Sequence, residues 1–281
     1  MQRIVINGVR AEYVPAMDRG LHYGDGVFET IACANNRLQF WQQHITRMRT
    51  SAQKLKLDFP GEDVYLHDIR RLLENDDAQT ACVIKLMLTR GVGERGYRVP
   101  VQPLPCRMVF KSPMPAHVER VAQQGARLTL CAMPISVNPA LAGIKHLNRL
   151  DNVLARHEWQ DQFDEGLMCD QQGNIIEGTM SNLFAVRRGR LYTPNLEHCG
   201  VHGIIRQQLL DIAQQQNIPV QITTITHNEL IKMDEILLCN SIIGCWPVTA
   251  FSGNEFQSGP ITASLADKLK QRVEDDALFI G

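Results

Sequence analysis

Several features that would place a protein in a broad class are missing from this sequence of 281 residues. It has no stretch of about 18 apolar residues, so no membrane-spanning helix is expected. The opening residues, MQRIVINGVRAEY, do not join a charged region to a long apolar one, so no secretory signal peptide is expected. Basic and acidic residues number 29 and 30, without a basic run, which favours neither nucleic acid nor a membrane surface as a partner.

The eight cysteines do not form the pattern of a metal site or of a disulfide framework. None belongs to a CxxC pair, and most lie inside apolar runs such as TACVIKLML and EILLCNSIIGC. Zinc ligands normally recur at short, fixed spacings, so no metal site is expected. Buried thiols that stay reduced are typical of the reducing cytosol, and we therefore expect a cytoplasmic protein.

The first part of the chain predicts alternating strands and helices. Asn7 and Gly8 separate two apolar strands, as the residues of a tight hairpin turn do. Apolar residues recur at helical spacing from Phe40 to Leu55, and a second helix is expected over 62–74. Apolar runs predict strands at 26–33, 80–91 and 106–111.

The proline-rich segment SPMPAH, residues 112–117, has no regular pattern and predicts a linker. We therefore expect a smaller α/β domain of residues 1–115 and a larger domain of residues 116–281. In the larger domain, apolar spacing predicts a helix that starts just after Lys145, and turns at QQGN and RRGR predict two hairpins. Because hairpins dominate, the expected fold class is mixed α/β (α+β) with largely antiparallel sheets, not a doubly wound parallel sheet.

Two reactive side chains stand in unusual positions. Lys145 follows the uncharged stretch LAGI, where a surface lysine is the ordinary interpretation and a covalent attachment point the more specific one. Glu177 ends a predicted strand and precedes Gly178, where a carboxylate either caps the turn or hydrogen-bonds a buried ring nitrogen. For neither residue does the surrounding sequence distinguish between the two interpretations.

Two further features are able to bind phosphate. Gly200 and Gly203 precede the helical stretch IIRQQLLDIAQQ, whose first amides either form an ordinary turn or cradle an anion. Arg47 and Arg49 lie on the helix predicted from Phe40, where they either face solvent or bind a phosphate. A pyridoxal phosphate site needs an amine, an acid near the ring nitrogen, a phosphate cradle and a cation. Each candidate supplies one of these groups, so the four together are more specific for that cofactor than any one of them, although composition alone does not settle the choice.

The order of five motifs gives a family resemblance that runs nearly from end to end. The motifs are DRGLHYGDGVFET (18–30), HITRMRTSA (44–52), EGTMSNLF (177–184), GVHGIIR (200–206) and MDEILLCNS (233–241). They resemble those of the fold-type IV pyridoxal-phosphate enzymes, which include branched-chain and D-amino-acid aminotransferases and 4-amino-4-deoxychorismate lyase. The resemblance implies a two-domain fold, pyridoxal 5′-phosphate in an active site between the domains, and a homodimer that acts on a small molecule.

Roles for individual residues follow from the resemblance. Lys145 is implied as the Schiff-base lysine and Glu177 as the partner of the pyridine nitrogen. Arg47, in preference to Arg49, is implied as the phosphate-binding arginine. The other implied phosphate ligands are the backbone amides of Gly203 and Ile204, the side chain of Ser241, and its neighbour Asn240.

Within the family, the stretches AGIKHLNRL (142–150) and RGVGERGY (90–97) resemble the lyases. The implied reaction is β-elimination of pyruvate from 4-amino-4-deoxychorismate, which leaves 4-aminobenzoate for folate biosynthesis. Thr30 is the hypothesised catalytic hydroxyl at the leaving group, and Arg95 is the hypothesised ligand of a substrate carboxylate. The alternative is a D-amino-acid or branched-chain aminotransferase on the same fold, and a remote alternative is a non-catalytic protein that binds the cofactor.

Overall fold

The computed structural model describes residues 3–74 and 80–280. Its helices are α1 (Arg19–Tyr23), α2 (Trp41–Lys54), α3 (Glu62–Leu73), α4 (His117–Gln124), α5 (Leu150–Arg156), α6 (Ile204–Gln215), α7 (His227–Leu230) and α8 (Pro260–Asp276). Its strands are β1 (Arg3–Ile6), β2 (Val9–Arg10), β3 (Gly26–Ala34), β4 (Arg37–Leu38), β5 (Cys82–Thr89), β6 (Cys106–Pro113), β7 (Ala126–Leu130), β8 (Glu165–Cys169), β9 (Ile175–Gly178), β10 (Asn182–Arg187), β11 (Arg190–Pro194), β12 (Val220–Thr223), β13 (Glu235–Asn240), β14 (Gly244–Phe251), β15 (Asn254–Glu255) and β16 (Leu278–Phe279). Among the described residues, no helix combines the length and the apolar character needed to cross a membrane.

Spatial contacts divide the chain into two compact units. Unit 1 contains residues 1–114, 144–148 and 276–281, and unit 2 contains residues 115–143 and 149–275. Unit 1 thus takes up two short segments from the later part of the chain. The domain boundary expected between residues 115 and 116 stays a prediction about the folding domains.

Unit 1 is built on an antiparallel sheet with the strand order β16-β4-β3-β5-β6-β1-β2. The expected first hairpin is confirmed, because Ile6 pairs with Val9 across Asn7 and Gly8. Both turn residues have positive φ, as a tight primed turn requires. The two helices expected in this part of the chain are confirmed as α2 and α3.

The two faces of this sheet differ because side chains alternate along each strand. Ile31, Ile84 and Leu86 have no exposed surface and form a core with apolar residues of α2 and α3. The opposite face, here called the open face, carries partly exposed side chains from three adjacent strands: Phe28, Thr30, Lys85, Met87 and Phe110. The strand expected at 80–91 is therefore confirmed as β5, but only one of its faces is fully buried.

The segment around Lys145 pairs with β3 as an extended chain. Val27 and His146 form an antiparallel bridge, and Leu147 N donates to Gly26 O at 3.0 Å. The prediction of a helix starting just after Lys145 is wrong at its N-terminus, because this pairing occupies the backbone and α5 begins only at Leu150.

The apolar residues that suggested α5 are largely exposed. Leu150, Val153 and Leu154 are 68%, 50% and 46% exposed. Their helical spacing therefore reflects an apolar surface of the helix and not burial in the core of unit 2.

Unit 2 is built on a mixed sheet with the order β12-β11-β10-β13-β14-β7-β8-β9, and β15 pairs with β14. The pairs β11–β12, β14–β7 and β7–β8 are parallel, and the other pairs are antiparallel. Both hairpins expected here are confirmed, as β8–β9 and β10–β11. The expected fold class, mixed α/β with largely antiparallel sheets, is confirmed.

Candidate active site

Lys145 presents its side chain on the open face of unit 1. Phe28 N donates to Lys145 O at 2.9 Å, and the bridge between Val27 and His146 sets Lys145 opposite Phe28. The Lys145 ammonium lies 4.5 Å from the centre of the Phe28 ring. Thr30 lies two residues further along β3, so its side chain points to the same face. Two predicted site residues, Lys145 and Thr30, are thus brought to one surface.

A buried carboxylate on the other face of β3 holds the predicted phosphate arginine. Glu29 is fully buried, and its carboxylate accepts hydrogen bonds from Arg47 Nε at 2.7 Å, Arg47 Nη2 at 2.5 Å and His44 Nδ1 at 2.7 Å. Burial by itself would raise the pKa of Glu29, but the charge of Arg47 and the hydrogen bonds from Arg47 and His44 lower it to about 2. The guanidinium of Arg47 is therefore fixed before any ligand binds.

His44 connects this cluster electrostatically to Lys145. Burial lowers the pKa of His44, the Glu29 carboxylate opposes that effect, and the positive charges of Arg47 and Lys145 lower the pKa further. A neutral His44 donates its Nδ1 proton to Glu29 and adds no charge to the cluster.

Arg49 is more exposed than Arg47 and is held less tightly by its surroundings. Its side chain is 43% exposed, against 14% for Arg47, and its nearest carboxylate, that of Glu62, is 3.9 Å away. Its guanidinium lies over the ring of Phe59, 5.4 Å from the centre. These observations agree with the choice of Arg47 over Arg49, which remains a prediction.

Arg95 lies on an exposed loop that another arginine holds in place. Arg19 Nη1 donates to Gly96 O at 3.0 Å, and Arg19 Nη2 donates to Tyr97 O at 3.2 Å. Arg19 Nε also donates to Asp25 at 2.9 Å. Arg95 itself points to solvent, so the structure positions its backbone without fixing its side chain.

In unit 2, Glu177 is buried at the end of β9 and is tied to the loop before α6. Its Oε2 accepts from Val201 N at 2.9 Å and from Asn182 Nδ2 at 3.2 Å. Asn182 Nδ2 also donates to Val201 O at 3.0 Å. Arg149 adds a favourable charge interaction with Glu177. These contacts fix the orientation of the carboxylate.

The first turn of α6 has the features of an anion cradle. Gly203 is its N-cap residue and contributes no side-chain hydrogen bond to the cap. A Cβ at Gly203 would lie 1.8 Å from Asn182 Oδ1, so only glycine fits beside that side chain. The amides near Gly203 and Ile204 carry the partial positive charge of a helix N-terminus. Asn182 therefore joins the predicted acid to the predicted cradle.

The structure distinguishes the two remaining candidates in unit 2. Asn240 uses its Oδ1 to accept from the backbone N of Ile242 and Ile243 at 2.8 and 2.9 Å, and its Nδ2 donates to Met180 O at 2.9 Å. No described residue hydrogen-bonds the hydroxyl of Ser241. Asn240 thus shapes the turn, and Ser241 is the better candidate for a phosphate ligand.

Sequence reasoning missed the residues that support the site. Glu29 binds Arg47, and His44 in turn binds Glu29. Arg19 binds the loop that carries Arg95, and Asn182 binds Glu177. All four lie inside the motifs quoted above, which was the available signal. A motif alone does not tell a ligand from the side chain that orients it.

The residues present suit pyridoxal 5′-phosphate. Each requirement of that group has a matching donor or acceptor: an amine at Lys145, a fixed cation at Arg47, a buried carboxylate at Glu177, and a cradle at Gly203 whose shape a Cβ would destroy.

Comparison with known proteins gives consistent matches over most of the chain. The sequence pattern described as "Amino-transferase class IV" matches residues 26–251. An aminodeoxychorismate lyase of Vibrio harveyi is 33% identical over 269 residues, covering 94% of this chain and 98% of the relative. A solved structure of 4-amino-4-deoxychorismate lyase from Pseudomonas aeruginosa has a TM-score of 0.89 and 38% identity, covering 95% of this chain and 98% of that one. A putative branched-chain-amino-acid aminotransferase of Methanocaldococcus jannaschii is 31% identical over 263 residues, covering 92% of this chain and 90% of the relative.

Proposed function

Because this chain belongs to the amino-transferase class IV family, we propose that it is a pyridoxal-phosphate-dependent lyase that converts 4-amino-4-deoxychorismate into 4-aminobenzoate and pyruvate. The proposal rests on sequence similarity to two such lyases, which are 33% and 38% identical to this chain over more than nine-tenths of its length. Its product would enter folate biosynthesis. A cytoplasmic location is part of the proposal, and the eight free cysteines suit a reducing compartment.

Six residues would hold the cofactor. Lys145 would bond to its aldehyde, and the Glu177 carboxylate would pair with its ring nitrogen. Arg47, the amides at Gly203 and Ile204, and Ser241 would bind the phosphate, with Asn240 shaping the turn that presents Ser241. When bound, pyridoxal phosphate accepts the electrons of the bond that breaks beside the substrate amine.

The proton transfers belong to side chains of this chain. The Lys145 amine, once free, would take the hydrogen from the carbon that bears the substrate amine. Glu177 would keep a proton on the ring nitrogen by electrostatic attraction. Arg95, on the loop that Arg19 holds, would pair with a substrate carboxylate. The neighbouring carbon–oxygen bond then breaks, pyruvate leaves, and formation of the aromatic ring favours the forward direction.

Thr30 would donate a hydrogen bond to the oxygen that leaves with pyruvate. Its place on the same face as Lys145 supports this role. Thr30→Val keeps the side-chain shape and removes the hydroxyl. We expect pyruvate release to fall by roughly 10²-fold, because a positioned proton donor contributes about that much. The rate at which the cofactor captures the substrate amine covalently should change little. The visible absorbance of the cofactor measures that rate. Equal losses in both measurements would contradict the role.

An aminotransferase is the second candidate, since the relative from M. jannaschii is nearly as similar as the lyase from V. harveyi. Incubation with 4-amino-4-deoxychorismate separates the two functions. Release of pyruvate and 4-aminobenzoate in equal amounts is the expected result. Transamination of D-alanine or leucine, without pyruvate release from 4-amino-4-deoxychorismate, would replace the lyase by the aminotransferase. A protein that binds the cofactor and does neither would be a non-catalytic binding protein.

A homodimer is also part of the proposal. In unit 1 the large side chains of Tyr13, Leu21, Tyr97 and Leu104 are exposed, and in unit 2 α5 exposes the apolar residues described above. Exposed apolar side chains in such numbers are typical of protein interfaces. Light scattering coupled to size-exclusion chromatography should give twice the chain mass of 31.7 kDa, and a monomer would contradict the proposal.

A further inference from the structure

Lys85 is a partly buried cation in the middle of a strand. It lies in β5, where the flanking Ile84 and Leu86 point into the core. The Lys85 side chain points to the open face, and its ammonium lies 5.1 Å from the centre of the Phe28 ring and 6.0 Å from that of Phe110. Within residues 3–74 and 80–280, no acceptor forms a hydrogen bond or an ion pair with this ammonium.

The surroundings of Lys85 favour an anion. Burial lowers the pKa of its ammonium, which means that desolvation makes the charge costly. Two aromatic rings lie near the ammonium and stabilise its charge by cation–π contact, but neither ring supplies a hydrogen-bond acceptor. Glu29, on the neighbouring strand, faces the opposite side of the sheet and is already paired with Arg47 and His44. A carboxylate of a bound ligand would supply the hydrogen-bond acceptor that the Lys85 ammonium lacks.

The strand register places Lys85 beside the proposed reaction centre. Lys85 is directly opposite Thr30 on β3, and Lys145 is opposite Phe28, two residues away. Both ammonium groups contact the Phe28 ring. Side chains directly opposite in an antiparallel pair have Cβ atoms roughly 5 Å apart. The Lys85 ammonium and the Thr30 hydroxyl therefore project from opposite positions on the same face of the sheet.

We propose that Lys85 is a specificity-determining residue, whose ammonium binds the carboxylate of the enolpyruvyl group of the substrate. This inference rests on the proposed function. In 4-amino-4-deoxychorismate the enolpyruvyl carboxylate is two bonds from the ether oxygen that Thr30 would face. Amino acids with apolar side chains have no carboxylate at the corresponding place, so Lys85 selects a dicarboxylate ether over them.

Binding of chorismate tests Lys85 independently of turnover. Chorismate has the same two carboxylates and the enolpyruvyl ether, but a hydroxyl replaces the amine, so it cannot bond to the cofactor. We expect Lys85→Met to weaken chorismate binding by the holoenzyme at least tenfold in isothermal titration calorimetry, since charged hydrogen bonds contribute that much. Lys85→Arg should keep most of the affinity. Lys85→Gln provides a second neutral variant if Lys85→Met does not fold.

The matched control is Lys111→Met. Lys111 is a partly buried lysine on the adjacent strand β6, and its partner in the register is Ile84, which faces the helices. This variant should bind chorismate as the wild-type protein does. In turnover of 4-amino-4-deoxychorismate, Lys85→Met should raise KM at least tenfold with a smaller effect on kcat.

The outcomes separate this proposal from the proposed function. Equal chorismate affinity in the wild-type protein and the neutral variants, or no binding by the wild-type protein, overturns the role of Lys85. It would then only cover the two rings with its aliphatic stem. The role is supported if chorismate binding is lost in Lys85→Met and Lys85→Gln but kept in Lys85→Arg and Lys111→Met. If the wild-type protein binds chorismate through Lys85 but releases no pyruvate from 4-amino-4-deoxychorismate, the lyase function fails while the carboxylate site stands.

Discussion

At the scale of single residues, the site depends on charges that other side chains hold in place. Arg47 is fixed by the buried carboxylate of Glu29, and Glu177 is fixed by Asn182 and the Val201 amide. Arg49, two residues from Arg47 in sequence, has no comparable support. Residue type alone therefore does not give the chemistry, because the environment decides which arginine is preorganised.

The first residue-scale prediction concerns Glu177→Gln. A neutral amide still accepts a hydrogen bond from Val201 N, so the fold should persist. It no longer stabilises a proton on the cofactor's ring nitrogen, so turnover should fall at least tenfold. Cofactor affinity, set mainly by the phosphate ligands, should change less than threefold. Turnover and equilibrium binding of pyridoxal phosphate are the measurements, and unchanged turnover would refute the role.

The second residue-scale prediction compares the two arginines of α2. Arg47→Ala should weaken cofactor binding by about 1.5–3 kcal/mol, the usual contribution of a charged hydrogen bond, and should also leave Glu29 without its cation. Arg49→Ala is the matched control and should cost little, since its side chain is exposed. Equilibrium dialysis with pyridoxal phosphate measures both. A larger loss for Arg49→Ala would place the phosphate on the other side of the helix.

At the scale of structural elements, the motif DRGLHYGDGVFET builds a support for a loop. Asp18 caps α1 by accepting from Gly20 N at 2.8 Å, and Gly24 ends the helix in the left-handed conformation. This short helix places Arg19 under the carbonyls of residues 96–98. The loop is thus held by a helical residue that lies 77 residues before Gly96 in the chain.

The element-scale prediction is that Arg19→Met loosens the loop that carries Arg95. Three carbonyl groups lose their donor, whereas Asp25 keeps hydrogen bonds from Arg90. Hydrogen exchange at the Gly96 amide, which donates to the Tyr23 hydroxyl at 3.2 Å, should accelerate at least tenfold. Arg98→Met is the control. Arg98 binds Arg19 only through its backbone carbonyl, and its side chain is exposed, so this substitution leaves the hydrogen bond in place. Equal exchange in both variants would show that Arg19 does not order the loop.

At the scale of the whole molecule, folding gathers distant segments into each unit. Residues 144–148 join unit 1, so Lys145 is held by β3, more than 100 residues earlier in the chain. The C-terminal β16 joins the same sheet through β4. Unit 1 can therefore form completely only after both later segments have been made.

The whole-molecule prediction concerns acid stability. Burial lowers the pKa of His44 from its ordinary value of 6.5. Burial would raise the pKa of Glu29, but the charge of Arg47 outweighs it and lowers that pKa from 4.5 to about 2. The unfolded chain therefore binds more protons than the folded one as pH falls below about 6.5, and the free energy of unfolding decreases. For Glu29 the loss is expected between pH 4.5 and about 2. Burial raises the pKa of Glu165, which acts in the opposite direction.

Urea unfolding from pH 8 to pH 3 measures this dependence. In Glu29→Gln, which removes the titrating group, the slope of unfolding free energy against pH below 4.5 should be smaller than in the wild-type protein. A slope that does not change would assign the acid sensitivity to other groups.

The sequence by itself determined the family, the fold class and most of the helices and strands. The family expectation is confirmed by the class IV match over residues 26–251. Helical spacing in α2, the Asn7-Gly8 turn and the two later hairpins have local causes, because backbone preference and side-chain period act over a few residues. The candidate site residues came from motif order, and their roles stay predictions.

Only the tertiary structure decided where those residues lie and what supports them. The strand pairing of Lys145 overrode a helical pattern, since hydrogen bonds to β3 used the backbone of residues 145–147. The apolar residues of α5 proved to be exposed, and Lys85 proved to lie on the open face beside Phe28. Burial and cross-strand register depend on partners far away in the chain. No local pattern encodes them, so the face on which a side chain lies is settled only when the sheet has formed.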